Sequence, residues 1–152
     1  MIIIDKNPTA DTRTCDWSKV TKKQLLDSSI QHIEDVKTGL ELFSKILVDI
    51  ATRHDYDKIT DIVQFHEDFK TGFKQTTWWD NHRKLSRHHI NMPDGVPEDV
   101  NLLDVLEHIV DCVMAGMARS GQVYKLDLSD ELLQGAFQNT VEYLKSQVEV
   151  VD

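Results

Sequence analysis

The chain has 152 residues, of which 40% are hydrophobic and 28% charged, with only six glycines and three prolines. This composition is typical of one globular domain rich in helix and excludes a disordered chain. The formal net charge of −9 excludes a general binder of long nucleic acids, whose phosphates require a basic surface. A nucleotide or other small phosphate ester is compatible with that charge, because one cationic pocket or metal ion changes the sign locally.

The cysteines and the hydropathy pattern indicate the compartment. The spacing of Cys15 and Cys112 matches neither a disulfide framework nor a metal-binding motif, which favours free thiols in a reducing cytoplasm. The apolar run at residues 1–4 is too short for a signal sequence, and no stretch approaches the length of a membrane span. We therefore expect a cytoplasmic protein, in the host cytoplasm if the chain is viral, without a membrane partner. A homo-oligomer stays open.

The first half of the chain predicts an arm and two helices. Residues 1–20 show no sustained period and are interpreted as an irregular N-terminal arm, followed by a helical domain over residues 21–152. A long helix is predicted from Thr21, its N-cap, to about Thr52. Its apolar stripe recurs at steps of three and four and consists of Ile33, Val36, Leu40, Phe43, Leu47 and Ile50. A second helix is expected over about 58–73.

The second half predicts three more helices. The first is short and lies within residues 76–89, before a loop over residues 91–97 that contains two prolines and an Asp-Gly pair. The next begins at Pro97 or Asn101 and ends at about Arg119, and Ser129 caps a last helix that ends near Val148. No segment shows the sustained alternation of apolar and polar residues that is typical of a strand. We therefore expect an all-α fold, a single-domain bundle of about five helices.

Two His-rich segments are candidate metal sites. His54 and Asp55 lie where the first long helix ends, and imidazole with carboxylate suits Mn, Fe, Co, Ni or Zn. Taken alone, this pair is as well explained by a solvated helix end. His82, His88 and His89 lie among three cations, where protonated imidazoles would repel one another and a metal would keep them neutral. The alternative is a basic solvated face.

Other polar residues extend these candidates. Asp111 lies in a very apolar stretch, and a buried carboxylate needs a cation, which favours a ligand. His32 is either a core histidine or a ligand, and His66 is interpreted as a core residue. Asp104 and Glu107 are expected to be exposed or to contact the metal ligands without binding the metal themselves. His108 is expected at the surface.

The order of these groups along roughly residues 29–119 resembles the HD-domain metal-dependent phosphohydrolase superfamily. The run His54-Asp55-Tyr56-Asp57-Lys58 is similar to its His-Asp-x-x-Lys motif. His82 followed by His88-His89 is similar to a motif of a small uncharacterised HD-like family of phages and bacteria. The resemblance implies an all-α fold, one metal held by a His, the His-Asp pair and a later Asp, and a second metal held by further histidines and bridged by Asp55.

The expected function is hydrolysis of a nucleotide or other small phosphate ester by metal-activated water, as in a nucleotidase or phosphodiesterase. One or two divalent transition metal ions (Mn, Fe, Co, Ni or Zn) are the expected cofactor. The expected ligands are His32, His54, Asp55, His82, His88, His89 and Asp111. Asp55 and Lys58 are the expected catalytic residues, and the phosphate is expected to contact Lys58, Arg83, Arg87 and Arg119.

Two alternatives belong to other classes. The first is a helical interaction or inhibitor protein without enzymatic activity, for instance a viral one, with Trp78 and Trp79 as interface anchors. The second is a di-iron protein that activates oxygen with histidines and carboxylates. The repeated Glu-x-x-His motifs typical of such di-iron bundles are missing from this sequence.

Overall fold

The structure, a computed structural model, describes residues 1–9, 11–74 and 77–152, without the side chain of Pro93. These residues are mostly helical, and five of the helices have eight residues or more, which confirms the all-α expectation. The helices are α1 (Lys22–Arg53), α2 (Asp57–Thr60), α3 (Ile62–Lys70), α4 (Trp78–Leu85), α5 (Leu102–Ser120) and α6 (Asp130–Ser146). Two strands, β1 (Ile2–Asp5) and β2 (Val148–Val151), and two 3-10 turns, Trp17–Lys19 and Pro93–Gly95, complete the fold.

Side-chain caps explain why the long helices begin where they do. Thr21 accepts a hydrogen bond from the backbone N–H of Gln24, whose side-chain oxygen accepts from the N–H of Thr21 (3.3 and 3.0 Å). Asn101 and Asp104 form the same reciprocal pair at the start of α5. The Ser129 hydroxyl accepts from the N–H of Leu132 at the start of α6. These pairs satisfy backbone donors that no helical carbonyl reaches.

The chain divides into two compact units: residues 1–46 with 142–152, and residues 47–141. In the first unit β1 pairs in parallel with β2, with Ile2 opposite Val148 and Asp5 opposite Val151. The interpretation of residues 1–20 as wholly irregular is therefore corrected, because four of them form a strand. Its partner lies at the other end of the sequence, where a short-range pattern gives no sign of the pairing.

The second unit contains the packed core. Ile90, Val100, Val105 and Ala136 are buried together, and Leu132 packs against them. This core joins α5, α6 and the segment that follows α4.

Two predicted helices are shorter than their patterns suggested. The second is divided at Asp61 into α2 and α3 and ends at Lys70 rather than Phe73. The third ends at Leu85, because Ser86 takes an extended backbone conformation (ψ 106°). His88 and His89 therefore lie in a turn and not on the helix of His82.

No helix in the described part of the chain is long and apolar enough to cross a membrane.

Candidate metal centre

The centre is built where α1 ends. The N–H of His54 still donates to the carbonyl of Ile50 (2.8 Å), but Asp55 has φ 54°, in the left-handed region. Non-glycine residues rarely take this conformation, and Asp and Asn tolerate it best. The turn directs the Asp55 carboxylate into the protein and allows α2 to begin at Asp57. Strained backbone of this kind is typical of functional sites.

Three imidazoles direct their Nε2 atoms at the Asp55 carboxylate. Nε2 of His82 lies 3.3 Å from Asp55 Oδ1, and Nε2 of His88 lies 3.5 Å from the same oxygen. Nε2 of His54 lies 3.5 Å from the other oxygen, Oδ2, and 3.8 Å from Oδ1 of Asp111. His82 and His88 are both buried. Histidines separated by up to 34 positions in the sequence thus converge on one carboxylate.

The Nδ1 atoms of the same three rings are held by other carboxylates. Glu107 Oε1 lies 2.8 Å from Nδ1 of His54 and 3.1 Å from Nδ1 of His88. Asp57 Oδ2 lies 2.7 Å from Nδ1 of His82. A carboxylate at Nδ1 fixes the tautomer and leaves the Nε2 lone pair free, which is the usual arrangement behind a metal-binding histidine.

His89 completes this side of the centre. Its Nε2 lies 2.9 Å from Nε2 of His82, so the two nitrogens either share one proton or face a common cation. Burial, followed by the nearby charges of His88 and His82, lowers the pKa of His89 to about 3. The ring is therefore neutral at physiological pH, which is the form that binds metal.

Two buried side-chain atoms in the described part of the chain lack a hydrogen-bond partner, and both belong to this cluster: Asp55 Oδ1 and His88 Nε2. Buried polar atoms are nearly always satisfied, so an unsatisfied pair needs an explanation. His and carboxylate groups here lie within metal-binding distance of one another. They form three sets: Asp55 with His82, His88 and His89; His54 with Asp55 and Asp111; and His54 with His88 and Glu107.

The electrostatics keep the carboxylates ionised. Burial raises the pKa of Asp55, but its interactions with His82 and Lys58 outweigh burial and hold the pKa well below its usual range. In the same way burial raises the pKa of Glu107, while hydrogen bonds from His54 and His88 lower it to about 2. The hydrogen bond to Glu107 raises the pKa of His54 above its usual value.

Lys58 is the one predicted phosphate-binding cation that the described structure places on the Asp55 carboxylate. Its Nζ lies 2.5 Å from Asp55 Oδ2 and 5.6 Å from the ring centre of Trp79. The ammonium is thus held between the carboxylate and an aromatic face.

The three predicted arginines have other surroundings. Arg87 makes two 2.8 Å hydrogen bonds to the buried carboxylate of Asp104 and a third bond to Asp99, although it also lines a cavity with the centre. Arg83 pairs with Asp80 and Asp94. Arg119 is exposed in the last turn of α5, eight residues beyond Asp111, or about 12 Å along the helix axis. Arg83 and Arg119 are therefore not brought to the centre.

Three histidines differ from their sequence interpretation. His32 lies on the part of α1 that belongs to the first unit and is exposed, and none of the sets of groups within metal-binding distance in the described residues includes it. His66 is exposed rather than part of a core. His108, expected at the surface, is buried and lies 3.8 Å from the Cys112 sulfur.

No role was assigned to Asp57 from the sequence, and Glu107 was left between an exposed and a supporting role. Asp57 carried no separate signal, because its role depends on His82, 25 positions later. Glu107 was interpreted as exposed or supporting, and the structure makes it the shared acceptor of two rings. Its spacing of four residues before Asp111 places both carboxylates on one face of α5 and was the available signal.

Two cavities adjoin the centre. One of about 250 Å³ is lined by His54, Asp55 and His88 together with Arg53 and Arg87. The other, of about 420 Å³, has apolar walls from α1 and α5 and includes His54, Glu107 and Asp111 at its edge. A ligand that contacts the histidines therefore has space on a cationic side and on an apolar side.

No protein-family model, curated protein or solved structure matches this chain.

Proposed function

We propose that the protein is a metal-dependent phosphohydrolase that acts on a nucleotide or other small phosphate ester. The observation that carries the proposal is the pair of buried atoms without partners, Asp55 Oδ1 and His88 Nε2. A cation between them would satisfy both, and the imidazole nitrogens of His82 and His89 belong to the same set within metal-binding distance.

The donor set fits one or two divalent ions. Asp55 belongs to two of the ligand sets, with His82, His88 and His89 on one side and with His54 and Asp111 on the other. Its two oxygens lie toward different histidines, so one carboxylate would serve both positions. Imidazole nitrogen with carboxylate oxygen favours Mn, Fe, Co, Ni or Zn over Mg or Ca.

A bound divalent metal would activate water for attack and neutralise charge on the phosphoryl oxygens. Side chains of the protein would orient the metal ligands and bind the ester. Glu107 and Asp57 fix the positions and tautomers of the histidines through Nδ1, and Asp55 would hold the metal with them. Lys58, a partly buried cation beside Asp55, would donate hydrogen bonds to the equatorial oxygens of the ester.

The cavities support a small ester. Arg53 and Arg87 line the 250 Å³ cavity beside His54 and His88. Both guanidinium groups pair with carboxylates, Arg53 with Asp49 and Arg87 with Asp104, and their positive charge would still attract a phosphate in the cavity. The apolar cavity next to Asp111 offers space for the organic group of the substrate. Together these surfaces favour a compact phosphate ester over a long polymer, in agreement with the acidic charge of the chain.

The first test measures metal binding in matched histidine variants. Calorimetric titration with Mn²⁺, Co²⁺ and Zn²⁺ should give one or two sites in the wild-type protein. We expect His88→Gln to lose at least one of these sites, because it removes a buried ligand nitrogen. His66→Gln should bind as the wild type does, since His66 is exposed and belongs to none of the three ligand sets. Equal binding by both variants would contradict the site.

The second test measures hydrolysis by the metal-loaded protein on nucleotides and generic phosphate esters. Asp55→Asn keeps a side chain that tolerates the left-handed backbone but removes the charge, so both metal content and hydrolysis should disappear. Full activity in Asp55→Asn protein overturns the proposal. If the protein binds metal but hydrolyses no ester, the metal centre is supported and the phosphohydrolase assignment is wrong.

A further inference from the structure

Trp79, the second residue of α4, has a ring whose position is fixed by its neighbours. Its backbone N–H donates a hydrogen bond to Oδ2 of Asp68 (2.9 Å), a carboxylate that is fully buried. Its ring stacks on that of Phe73, with 4.8 Å between the centroids. Phe73 has φ 63°, in the left-handed region, which a bulky residue rarely takes and which the surrounding structure must stabilise. Contacts of both its backbone and its ring therefore hold the indole of Trp79 in one place.

The same indole contacts three side chains of the metal centre. Nζ of Lys58 lies 5.6 Å from its ring centre. The rings of His82 and His89 lie 5.2 and 5.5 Å away, with His82 stacked and His89 edge-on. Among aromatic side chains tryptophan attracts a cation most strongly, and the attraction grows where water is excluded. Because the Lys58 side chain is only 25% exposed, its ammonium is well placed for this attraction.

We propose that Trp79 is a positioning residue for Lys58 and holds its ammonium where it meets the phosphoryl group of the ester. This role rests on the proposed function, in which Lys58 donates hydrogen bonds to the phosphoryl oxygens. Lysine has a flexible four-carbon stem, and such a side chain loses rotamer freedom when a ligand fixes it. An aromatic ring that restricts the ammonium beforehand reduces this loss when the ester binds.

Asp55 alone would hold Lys58 poorly once the centre contains a metal. The ammonium donates to Oδ2 of Asp55, and the same carboxylate belongs to two of the metal-binding sets. A divalent cation there would compete for the carboxylate oxygens and repel the ammonium. The ring of Trp79 attracts the charge without an oxygen acceptor, so the N–H donors of Lys58 remain available to the ester.

A double-mutant cycle on the full chain tests the pairing of Trp79 with Lys58. The measured quantity is the affinity of the Mn²⁺-loaded protein for methylphosphonate, a phosphate-ester analogue whose P–C bond water does not cleave. Trp79→Leu should lower this affinity by about 2–30-fold, which corresponds to the loss of a cation–π contact. In a Lys58→Met background the same substitution should lose this effect, because the ammonium is already absent. Effects that act through His82 or His89 persist in both backgrounds and cancel in the cycle.

Trp78→Leu is the matched control. Trp78 also stacks on His82, with 5.1 Å between the centroids, so both leucine variants lose packing on this imidazole. The effect of Trp78→Leu on methylphosphonate binding should be the same in the wild-type and Lys58→Met backgrounds. Trp79→Phe should restore most of the affinity lost in Trp79→Leu, since it keeps an aromatic face. Circular dichroism and the Mn²⁺ content check each variant, and Trp79→Met replaces Trp79→Leu in the cycle if the latter does not fold.

Equal effects of Trp79→Leu in the two backgrounds overturn the proposal, and so does a wild-type protein that binds no methylphosphonate. Binding and hydrolysis together distinguish this role from the proposed function. If the wild-type protein hydrolyses phosphate esters but the cycle shows no coupling, the positioning role is wrong and the phosphohydrolase assignment stands. If the cycle shows coupling but no ester is hydrolysed, Trp79 positions Lys58 for a phosphoryl ligand and the phosphohydrolase assignment is wrong.

Discussion

At the scale of single residues, Glu107 was not among the expected ligands, yet it orients two histidines of the centre. It accepts hydrogen bonds from Nδ1 of both His54 and His88. We predict that Glu107→Ala lowers metal affinity by about 10–100-fold, the usual cost of removing a carboxylate behind metal-binding histidines. Calorimetric titration of the variant with Mn²⁺ or Zn²⁺ measures this change.

Glu67→Ala is the control for this prediction. Glu67 is an exposed glutamate on α3 whose partner, Lys70, is also exposed. Its removal should leave metal affinity unchanged. Unaltered affinity in Glu107→Ala protein would show that the two histidines are oriented without their shared carboxylate.

The sequence identified the candidate metal-binding residues better than it identified the carboxylates that hydrogen-bond to them. His54, Asp55, His82, His88 and His89 were identified by motif, and the structure brings them together. The role of Glu107 depends on two rings that lie 53 and 19 positions earlier, so its spacing to Asp111 indicated a shared helix face but not the partners on it. His108 was placed at the surface because its neighbour is Glu107, yet the ring is buried close to Cys112.

At the scale of elements, the turn that carries His88 and His89 depends on a close backbone approach. A Cβ at Gly95 would lie 2.4 Å from the carbonyl oxygen of His89. We predict that Gly95→Ala displaces the turn, costs about 1–3 kcal/mol of stability through overpacking, and weakens metal binding. Urea unfolding and metal titration measure the two effects.

Gly135→Ala is the matched substitution. Gly135 lies inside α6, and a Cβ there meets no heavy atom within 4 Å. Alanine should stabilise that helix by about 0.5–1 kcal/mol without altering metal binding. Equal responses of the two variants would exclude a specific contact between Gly95 and the turn.

Helix starts were predictable because caps are local. Thr21 and Ser129 were identified from the sequence, and both accept the expected backbone hydrogen bond. The segment with His82 and His89 was interpreted as helical, but Ser86 leaves the helical conformation. The ion pair of Arg87 with buried Asp104 holds the following turn against α5, and such a long-range tie is invisible to periodicity.

At the scale of the whole molecule, metal binding should be measurable as stability. A ligand that binds only the folded state at a hundredfold excess over its Kd adds about 2.7 kcal/mol. For a chain of this size the Tm should then rise by roughly 5–11 °C. Differential scanning fluorimetry with and without a chelator measures the shift, and Asp55→Asn protein should show none. A wild-type Tm insensitive to metal and chelator contradicts the centre.

The composition and the helical periodicity of the apolar residues predicted the all-α class. They did not predict which apolar residues are buried. The stripe on α1 reads as a core face, whereas Leu26, Ile33 and Leu40 are exposed in the first unit. Periodicity shows that a helix has an apolar side, and it does not show whether that side packs on its own chain or on another.

The pairing of β1 with β2 also sets an order of events during synthesis. The ribosome must add 146 residues after Ile2 before its partner Val148 exists, which takes about 7–30 s at ordinary elongation rates. During this time the isoleucine-rich β1 is an unpaired strand, and such edges recruit other chains. All residues of the second unit, 47–141, are made before the first unit is complete. The last strand to be made is therefore the one that shields the first from aggregation.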